Sequence, residues 1–317
     1  MLRKALPGID EYFLSERITE SKDIIRNIAE ISELPLFIQF SGGNDSMAML
    51  SLVREVTDRF VCCYMATGLE FKGVIQFVKD ICKSLGVELL ISNPSMHKGN
   101  LFKRIERFQS FPGLIATWCC RDLKLRPQKK MLQAKYGRDK TFYKLEGIRR
   151  AESIRRMSIY KNYVDTPIRE DSEFPGSYEV FPIINWTNDD IANYLEKKDL
   201  KMMKHYKKYG VSGCAFCPFY PADFYRRILR IEPEFVTYKR VIEWENKLNQ
   251  PSVNGYYFMR DIKREIVQGD IIAAPVENPP VVVSPCTMKL NGEIVLTCSV
   301  YGHFFIDGEC YRCEAQE

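Results

Sequence analysis

The chain has no apolar run that approaches the ~20 residues needed to span a bilayer. Its first residues, MLRKALPGIDEYFLSERI, hold no hydrophobic stretch of the kind that opens a secreted protein. These absences speak against membrane anchoring and export, and the expectation is a cytoplasmic protein. No internal repeat or low-complexity tract is present, which excludes solenoid and fibrous architectures. Histidine is scarce: His97, His205 and His303 are scattered and point to no site of their own. His205, nine residues before Cys214, reads as a surface side chain. Charge of one sign does not dominate either. A net charge of +5 permits contact with a nucleotide or nucleic acid without singling out either. What remains is an ordinary globular composition, 45% hydrophobic and 27% charged, in 317 residues, room for one large domain with a smaller module.

Short apolar runs alternate with helical stretches. Residues 34–40, 59–66, 87–92, 141–148 and 178–184 read as strands. Residues 1–33, the stretch from 44 to about 57 and VIQFVKDICKSLG read as helices. Alternation of this kind predicts an α/β fold whose parallel sheet is covered by helices on both faces, with ligands beyond the carboxyl ends of the strands. The nucleotide-binding domain is expected over 34–187, after an N-terminal helical segment, 1–33. Past 187 the pattern turns helical, as far as 272; Thr187 reads as an N-cap with Asp190 three residues on, a carboxylate variant of the capping box. Residues 273–285 hold four prolines in thirteen residues and read as a stiff linker. The tail, 286–317, shows hairpin signals at Asn291-Gly292 and Asp307-Gly308.

Between the first strand and the helix after it stands Ser41-Gly42-Gly43-Asn44-Asp45-Ser46. Two glycines allow a tight turn and close approach of a ligand, and the helix start offers unpaired N–H groups at the positive end of its dipole. The spacing and lysine of a Walker A loop are missing. Backbone N–H groups with the hydroxyls of Ser41 and Ser46 can bind a diphosphate, and Asp45 can help hold Mg²⁺. The stretch resembles the S-G-G-x-D-S loop of the N-type ATP pyrophosphatases, which holds the β,γ-diphosphate while chemistry proceeds at the α-phosphorus. That family often carries lysine where this chain has Asn44.

Eleven cysteines are many for a protein of a reducing compartment, and clustering points to metal or redox work. Cys62, Cys63 and Cys82 lie among apolar residues and read as core. Cys119-Cys120 and Cys214-x-x-Cys217 form two tight pairs whose thiolates suit either a [4Fe–4S] cluster or tetrahedral zinc. Arg149, Arg150, Arg155 and Arg156 surround Glu152 and Ser153 just after a strand end; arginine forks bind phosphate. Arg121, Lys124, Arg126, Lys129 and Lys130 add a basic run beside the first cysteine pair, the last two reading as a solvated face.

Taken in order, these pieces resemble the phosphoadenosine-phosphosulfate reductase superfamily over roughly residues 20–240. ATGLEF (66–71) is similar to its D-T-G-x-x-F segment, EGIRRAESIRR (146–156) to its G-x-R-x-x-E-S-x-x-R segment, and FPIINWTNDDI (181–191) to its P-I-x-x-W segment. The cysteine pattern looks like that of the cluster-bearing members, adenylylsulfate reductases and the ATP pyrophosphatases of DNA phosphorothioation. The resemblance implies an adenine nucleotide alpha hydrolase-like fold and a [4Fe–4S] cluster on Cys119, Cys120, Cys214 and Cys217. It further implies nucleotide contacts from residues 41–46, Thr67, Gly68, Glu70, Gly147, Arg149, Glu152 and Ser153, with Asp45, Ser46, Arg149 and Arg155 closest to the chemistry.

In the tail, Cys286, Cys298, Cys310 and Cys313 are candidates for a structural zinc or for free, redox-active thiols. Glu309-Cys310 matches the start of the reductases' E-C-G-L-H segment, and the rest does not. Three functions are therefore carried forward. The first is an iron–sulfur ATP pyrophosphatase that adenylates an acceptor for sulfur transfer, with DNA phosphorothioation ahead of tRNA thiolation. The second is an adenylylsulfate or phosphoadenylylsulfate reductase releasing sulfite, and the third a non-catalytic nucleotide-binding sensor. Expected partners are ATP with Mg²⁺ or adenylyl sulfate, a cysteine desulfurase, a nucleic-acid acceptor and a second copy of the chain.

Overall fold

A computed structural model describes residues 9–114, 117–200, 208–209 and 213–268, with four short strands between 288 and 310. His205, the 273–285 segment, the two tail turn pairs, Cys286 and Cys313 lie outside the described residues. The chain divides into two compact units. One comprises Met1–Ala66, Glu70–Met96 and Leu125–Gly213; the other comprises Thr67–Leu69, His97–Lys124 and Cys214–Glu317.

The first unit is built on a six-stranded sheet: β1 (Leu36–Gln39), β2 (Phe60–Met65), β3 (Leu89–Ser92), β4 (Tyr143–Leu145), β5 (Ile168–Glu170) and β6 (Tyr178–Val180), in the order β3-β2-β1-β4-β6-β5. All neighbours are parallel except β5 and β6. β1 is central, with Ile38 opposite Cys62 on one side and Leu145 on the other, all three buried. A strand covered on both faces has to be apolar throughout, which is why 36–38 read as a continuous apolar run. Cys62 and Cys63 belong to this core.

The expected strand 141–148 narrows to Tyr143–Leu145, and two further differences appear in the sheet. The run 178–184 ends as a strand at Val180, because Pro182 has no N–H for the ladder and the chain closes a turn from Ile184 N–H to Phe181 O at 3.1 Å. β5 carries no apolar alternation to announce it; it pairs antiparallel with β6, and Arg169 of β5 reaches Glu179 of β6 at 2.5 Å.

Helices cover the sheet on both sides. α1 (Ile9–Ile31), α2 (Asn44–Arg54) and α3 (Val74–Ser84) alternate with the first strands. Within the second unit lie α4 (Leu101–Phe108) and α5 (Trp118–Cys120); along the chain a widened π-helical turn, Arg121–Leu125, then leads into α6 (Arg126–Tyr136) of the first unit. Pro127 lacks the N–H that would close an α-helical bond to Leu123 and its ring opposes that carbonyl, so the turn before it opens. α7 (Ile154–Ile159) and α8 (Asn188–Lys197) complete the first unit among the described residues. The expected capping box at α8 is present: Asp190 N–H donates to Thr187 Oγ1 at 3.1 Å, and Thr187 N–H to Asp190 Oδ2 at 2.6 Å.

Ser21 of α1 accepts a hydrogen bond from Trp186 Nε1 at 3.0 Å and donates to the Pro182 carbonyl at 2.8 Å. The P-I-x-x-W turn is thereby tied to α1. In the second unit, α9 (Ala222–Ile231) and α10 (Val236–Leu248) both pack on α11 (Met259–Gln268). The tail forms a four-stranded antiparallel sheet, β7 (Met288–Leu290), β8 (Glu293–Cys298), β9 (His303–Ile306) and β10 (Glu309–Cys310), with strands pairing on either side of both expected turns. Among the described residues no helix is long and apolar enough to cross a membrane.

Candidate functional site

The glycine loop leaves the C-terminal end of β1 and opens α2. Gly43 occupies the N-cap, so no side chain caps the helix. The amides at the start of α2 therefore keep the unpaired character of a helix N-terminus, with the positive end of the helix dipole behind them. Gly42 has φ +76°, a left-handed value that favours glycine. The hydroxyls organise the turn: Ser46 Oγ donates to Gly43 O at 2.9 Å and lies 3.1 Å from Ser41 Oγ, which accepts from Gly43 N–H at 3.3 Å. Asn44 is half-buried at the first position of the helix.

The exit of β4 comes up against this loop. A Cβ on Gly147 would sit 2.9 Å from the Asp45 carbonyl carbon and 3.1 Å from Ser46 N, so only glycine fits. Two residues on, Arg149 forks onto Asp45, Nε to Oδ1 at 3.0 Å and Nη2 to Oδ2 at 3.3 Å. Its third nitrogen, Nη1, donates to Asn188 Oδ1 at 2.9 Å at the start of α8. Arg149 is only 6% exposed, yet charged and fully oriented.

The other nucleotide candidates take several positions. Ser153 caps α7 by accepting from Arg156 N–H at 3.2 Å, and exposed Glu152 lies 3.5 Å from Arg156 Nε. Arg155 is half-buried on α7 and Glu70 half-buried after β2. Thr67 and Gly68 belong to the second unit, where the Thr67 hydroxyl lies 3.5 Å from the Cys214 sulfur and Gly68 takes φ +76°.

The cysteine pairs also lie in the second unit. Hydrogen bonds fix the 214–217 knuckle: Ala215 N–H donates to Leu69 O at 2.7 Å, and the Tyr238 hydroxyl donates to Ala215 O at 2.8 Å. The Tyr225 hydroxyl donates to Cys217 O at 2.6 Å and accepts from Cys217 N–H at 3.0 Å. The vicinal pair rides on α5, which is anchored by a buried ion pair between Arg104 of α4 and Asp122. The Cys120 thiol beside it, burial, and the charges of Cys214 and Cys217 all push the Cys119 thiol upward. Burial, above all, takes Cys217 up to about 12. Lys124 is drawn to all four sulfurs, Cys214 most strongly, and they hold its ammonium charged against the cost of burial. Among the described residues no three His, Cys, Asp or Glu side chains converge closely enough to hold a metal ion.

Sequence reasoning missed the special place of Lys124, reading it as one of a basic run. Its position depends on the widened turn at 121–125, which the local residues do not announce. Asn188 and Gly147's contact with the loop have no local signal, since their partners are far along the chain.

The family model of the phosphoadenosine phosphosulfate reductase domain matches residues 35–220, from β1 through the second cysteine pair. The chain belongs to this family. An uncharacterised protein of Methanocaldococcus jannaschii is 30% identical over 196 residues, 62% of this chain and 44% of that one, so the chain spans less than half of that relative's length. Adenosine 5'-phosphosulfate reductase 2 of Bacillus subtilis is 24% identical over 208 residues, 64% of this chain and 81% of that one. Sulfate adenylyltransferase subunit 2 of Pseudoalteromonas translucida is 29% identical over 215 residues, 61% of this chain and 67% of that one.

Proposed function

We propose that the chain is an ATP-using sulfur-transfer enzyme of the phosphoadenosine phosphosulfate reductase family. ATP would place its β,γ-diphosphate on the loop, and the α–β bond would break with release of pyrophosphate. The AMP so transferred would activate an acceptor oxygen for displacement by sulfur. The observation that carries this reading is the intact loop: an uncapped α2 N-terminus with two ordered serine hydroxyls and the Asp45–Arg149 pair beside it. The likeness to a sulfate adenylyltransferase subunit supports a site of this kind. Asp45 and Ser46 would act on the diphosphate with its Mg²⁺, and Arg149 and Arg155 on the developing phosphate charge.

Cys119, Cys120, Cys214 and Cys217 would hold a [4Fe–4S] cluster. What supports this is the donor chemistry: four half-buried thiols in two pairs, which would have to draw closer together around a cluster than they stand here. Such a cluster supplies redox and Lewis-acid chemistry when bound. Thr67 and Lys124 would tune it by a hydrogen bond and a charge. A cysteine desulfurase, a nucleic-acid acceptor, a second copy of the chain and a zinc on the tail cysteines belong to the same proposal, as does DNA phosphorothioation as its setting.

The likeness to a Bacillus adenosine 5'-phosphosulfate reductase favours a second reading, in which the loop holds adenylyl sulfate and Cys310 or Cys313 attacks its sulfur. Anaerobically purified protein separates the two. Iron and sulfide with pyrophosphate from MgATP, followed by ³¹P NMR, is the expected result. AMP and sulfite from adenylyl sulfate with a thiol, and none from ATP, would replace the first reading by the second.

A further inference from the structure

We propose that Arg149 is the resident counter-ion of the loop, and that a divalent cation reaches Asp45 only by exchanging with it. The inference rests on the reading of the loop as an ATP site and concerns how that site fills. Residues 41–46 contain no lysine or arginine, so the loop has no cation of its own. The nearest one comes from β4's exit: Arg149 takes both oxygens of Asp45, at 3.0 and 3.3 Å. Each oxygen keeps a second lone pair, but a cation bound there would sit against the guanidinium's own positive charge, so metal and arginine compete for the carboxylate.

That exchange is opposed when the metal comes alone. The guanidinium is almost wholly buried, and its other partner among the described residues, the Asn188 side-chain oxygen Oδ1 at 2.9 Å, is neutral. Displaced from Asp45, it would be a buried charge without an anion. Nor can it swing far, because Asn188 holds it at one end and Gly147 seats its backbone against the loop at the other. A polyphosphate at the α2 N-terminus changes the balance by offering the guanidinium a new anionic partner within that short reach. Cation and nucleotide therefore load together. Before they arrive, the pair keeps the charge of Asp45 from repelling the incoming phosphates, a charge that would otherwise stand in the first turn of the phosphate-binding helix.

The test is Mn²⁺ binding, read by electron paramagnetic resonance, with and without ATP, on the full chain and on Arg149→Met and Arg149→Lys. Wild type should bind Mn²⁺ weakly alone and about tenfold or more tightly with ATP, within the usual range of a coupling between sites. Arg149→Met should bind Mn²⁺ alone about tenfold more tightly than wild type, with the effect of ATP reduced. Arg149→Lys, a single point contact that frees one oxygen, should fall between, and it serves if the methionine variant does not fold. Equal Mn²⁺ affinity without ATP in wild type and both variants overturns the exchange. So does Mn²⁺·ATP binding that Asp45→Asn leaves unchanged, since the metal would then ride on phosphate alone. In both cases wild type still binds ATP and the reading of the loop stands. Wild type that binds no ATP at any Mn²⁺ concentration overturns that reading and the exchange with it.

Discussion

The loop region and the cysteine region reach the same end, a polar site on a folded frame, by opposite routes. The loop's chemistry lies in six consecutive residues, and its one charged side chain is matched inside its own unit by Arg149. The cysteine region draws on three separate stretches, 67–69, 119–124 and 214–217. Its frame is hydrogen-bonded through Tyr225, Tyr238 and Leu69, while its charge balance is set between sulfurs and Lys124. A contiguous site can be preorganised by local turns and one strand exit. A site assembled from distant stretches depends on every part of its frame, and on the proposed cluster if it binds there.

The most drastic way to break this comparison is to remove one sulfur from each segment. Cys120→Ser and Cys217→Ser should each abolish iron and sulfide retention by the anaerobically purified chain. ATP affinity, by calorimetry, should change less than about twofold, because the loop's contacts lie within its own unit. A parallel loss of ATP binding would mean that the two regions are energetically one.

Next in size is a pH effect confined to the loop's side of the molecule. Glu146, one residue before Gly147, is lifted to about 7 by burial first and then by Glu179, against Lys144, Arg169 and Arg156. Its environment adds Asp171 on Lys144 and the Tyr160 hydroxyl on Arg169. The folded carboxyl keeps its proton where the unfolded one, near 4.3, has lost it. Its favourable contribution is therefore complete below about pH 4.3 and disappears as pH rises toward 7, by at most about 4 kcal/mol. Glu146→Gln should flatten this fall, so that urea unfolding shows it gaining on wild type from pH 5 to pH 8. Parallel pH curves for the two proteins would refute the assignment.

The contrast also governs how much of each region is legible in the sequence alone. Ser41–Ser46 announces itself because strand, glycine pair and helix are consecutive, and the Thr187–Asp190 cap because its period is three. The parallel pairing of β1–β4 is legible because short apolar runs alternate with helical stretches. Contacts that close over long separations leave no such trace. Arg149 lies 104 residues from Asp45, and Ser21 lies 165 from Trp186. β5 escapes notice because a three-residue edge strand paired through Arg169 and Glu179 has no apolar period. Lys124 is visible as charge and not as position, since the π-turn that carries it follows from Pro127 only once a helix is known to surround it.

Gly147→Ala probes the loop's close fit. The added methyl would meet backbone, Asp45 C at 2.9 Å and O at 3.0 Å, which cannot rotate aside. The expected cost is about 1–3 kcal/mol of stability, typical of overpacking. If the loop holds phosphate as proposed, a larger proportional loss of ATP affinity than of stability should accompany it, because the displaced atoms are the loop's own backbone. A variant of wild-type ATP affinity would show that the loop tolerates a shift and is less preorganised than its hydrogen bonds imply.

The smallest effects give the sharpest contrast, because one buried hydrogen bond can be removed beside each region. Ser21→Ala leaves Trp186 Nε1 and the Pro182 carbonyl without their partner, and Tyr238→Phe does the same to the Ala215 carbonyl. Each should destabilise by about 1–2 kcal/mol in denaturant unfolding. Their functional readouts should part. The turn that precedes Asn188 is still fixed by the Thr187–Asp190 box, so Ser21→Ala should leave ATP affinity near wild type. Ala215 sits inside the knuckle between Cys214 and Cys217, and among the described residues its remaining hydrogen bond is to Leu69 O, so Tyr238→Phe should speed iron loss to a chelator. Equal functional effects from the two would erase the distinction between a site made by its own turn and a site made by its frame.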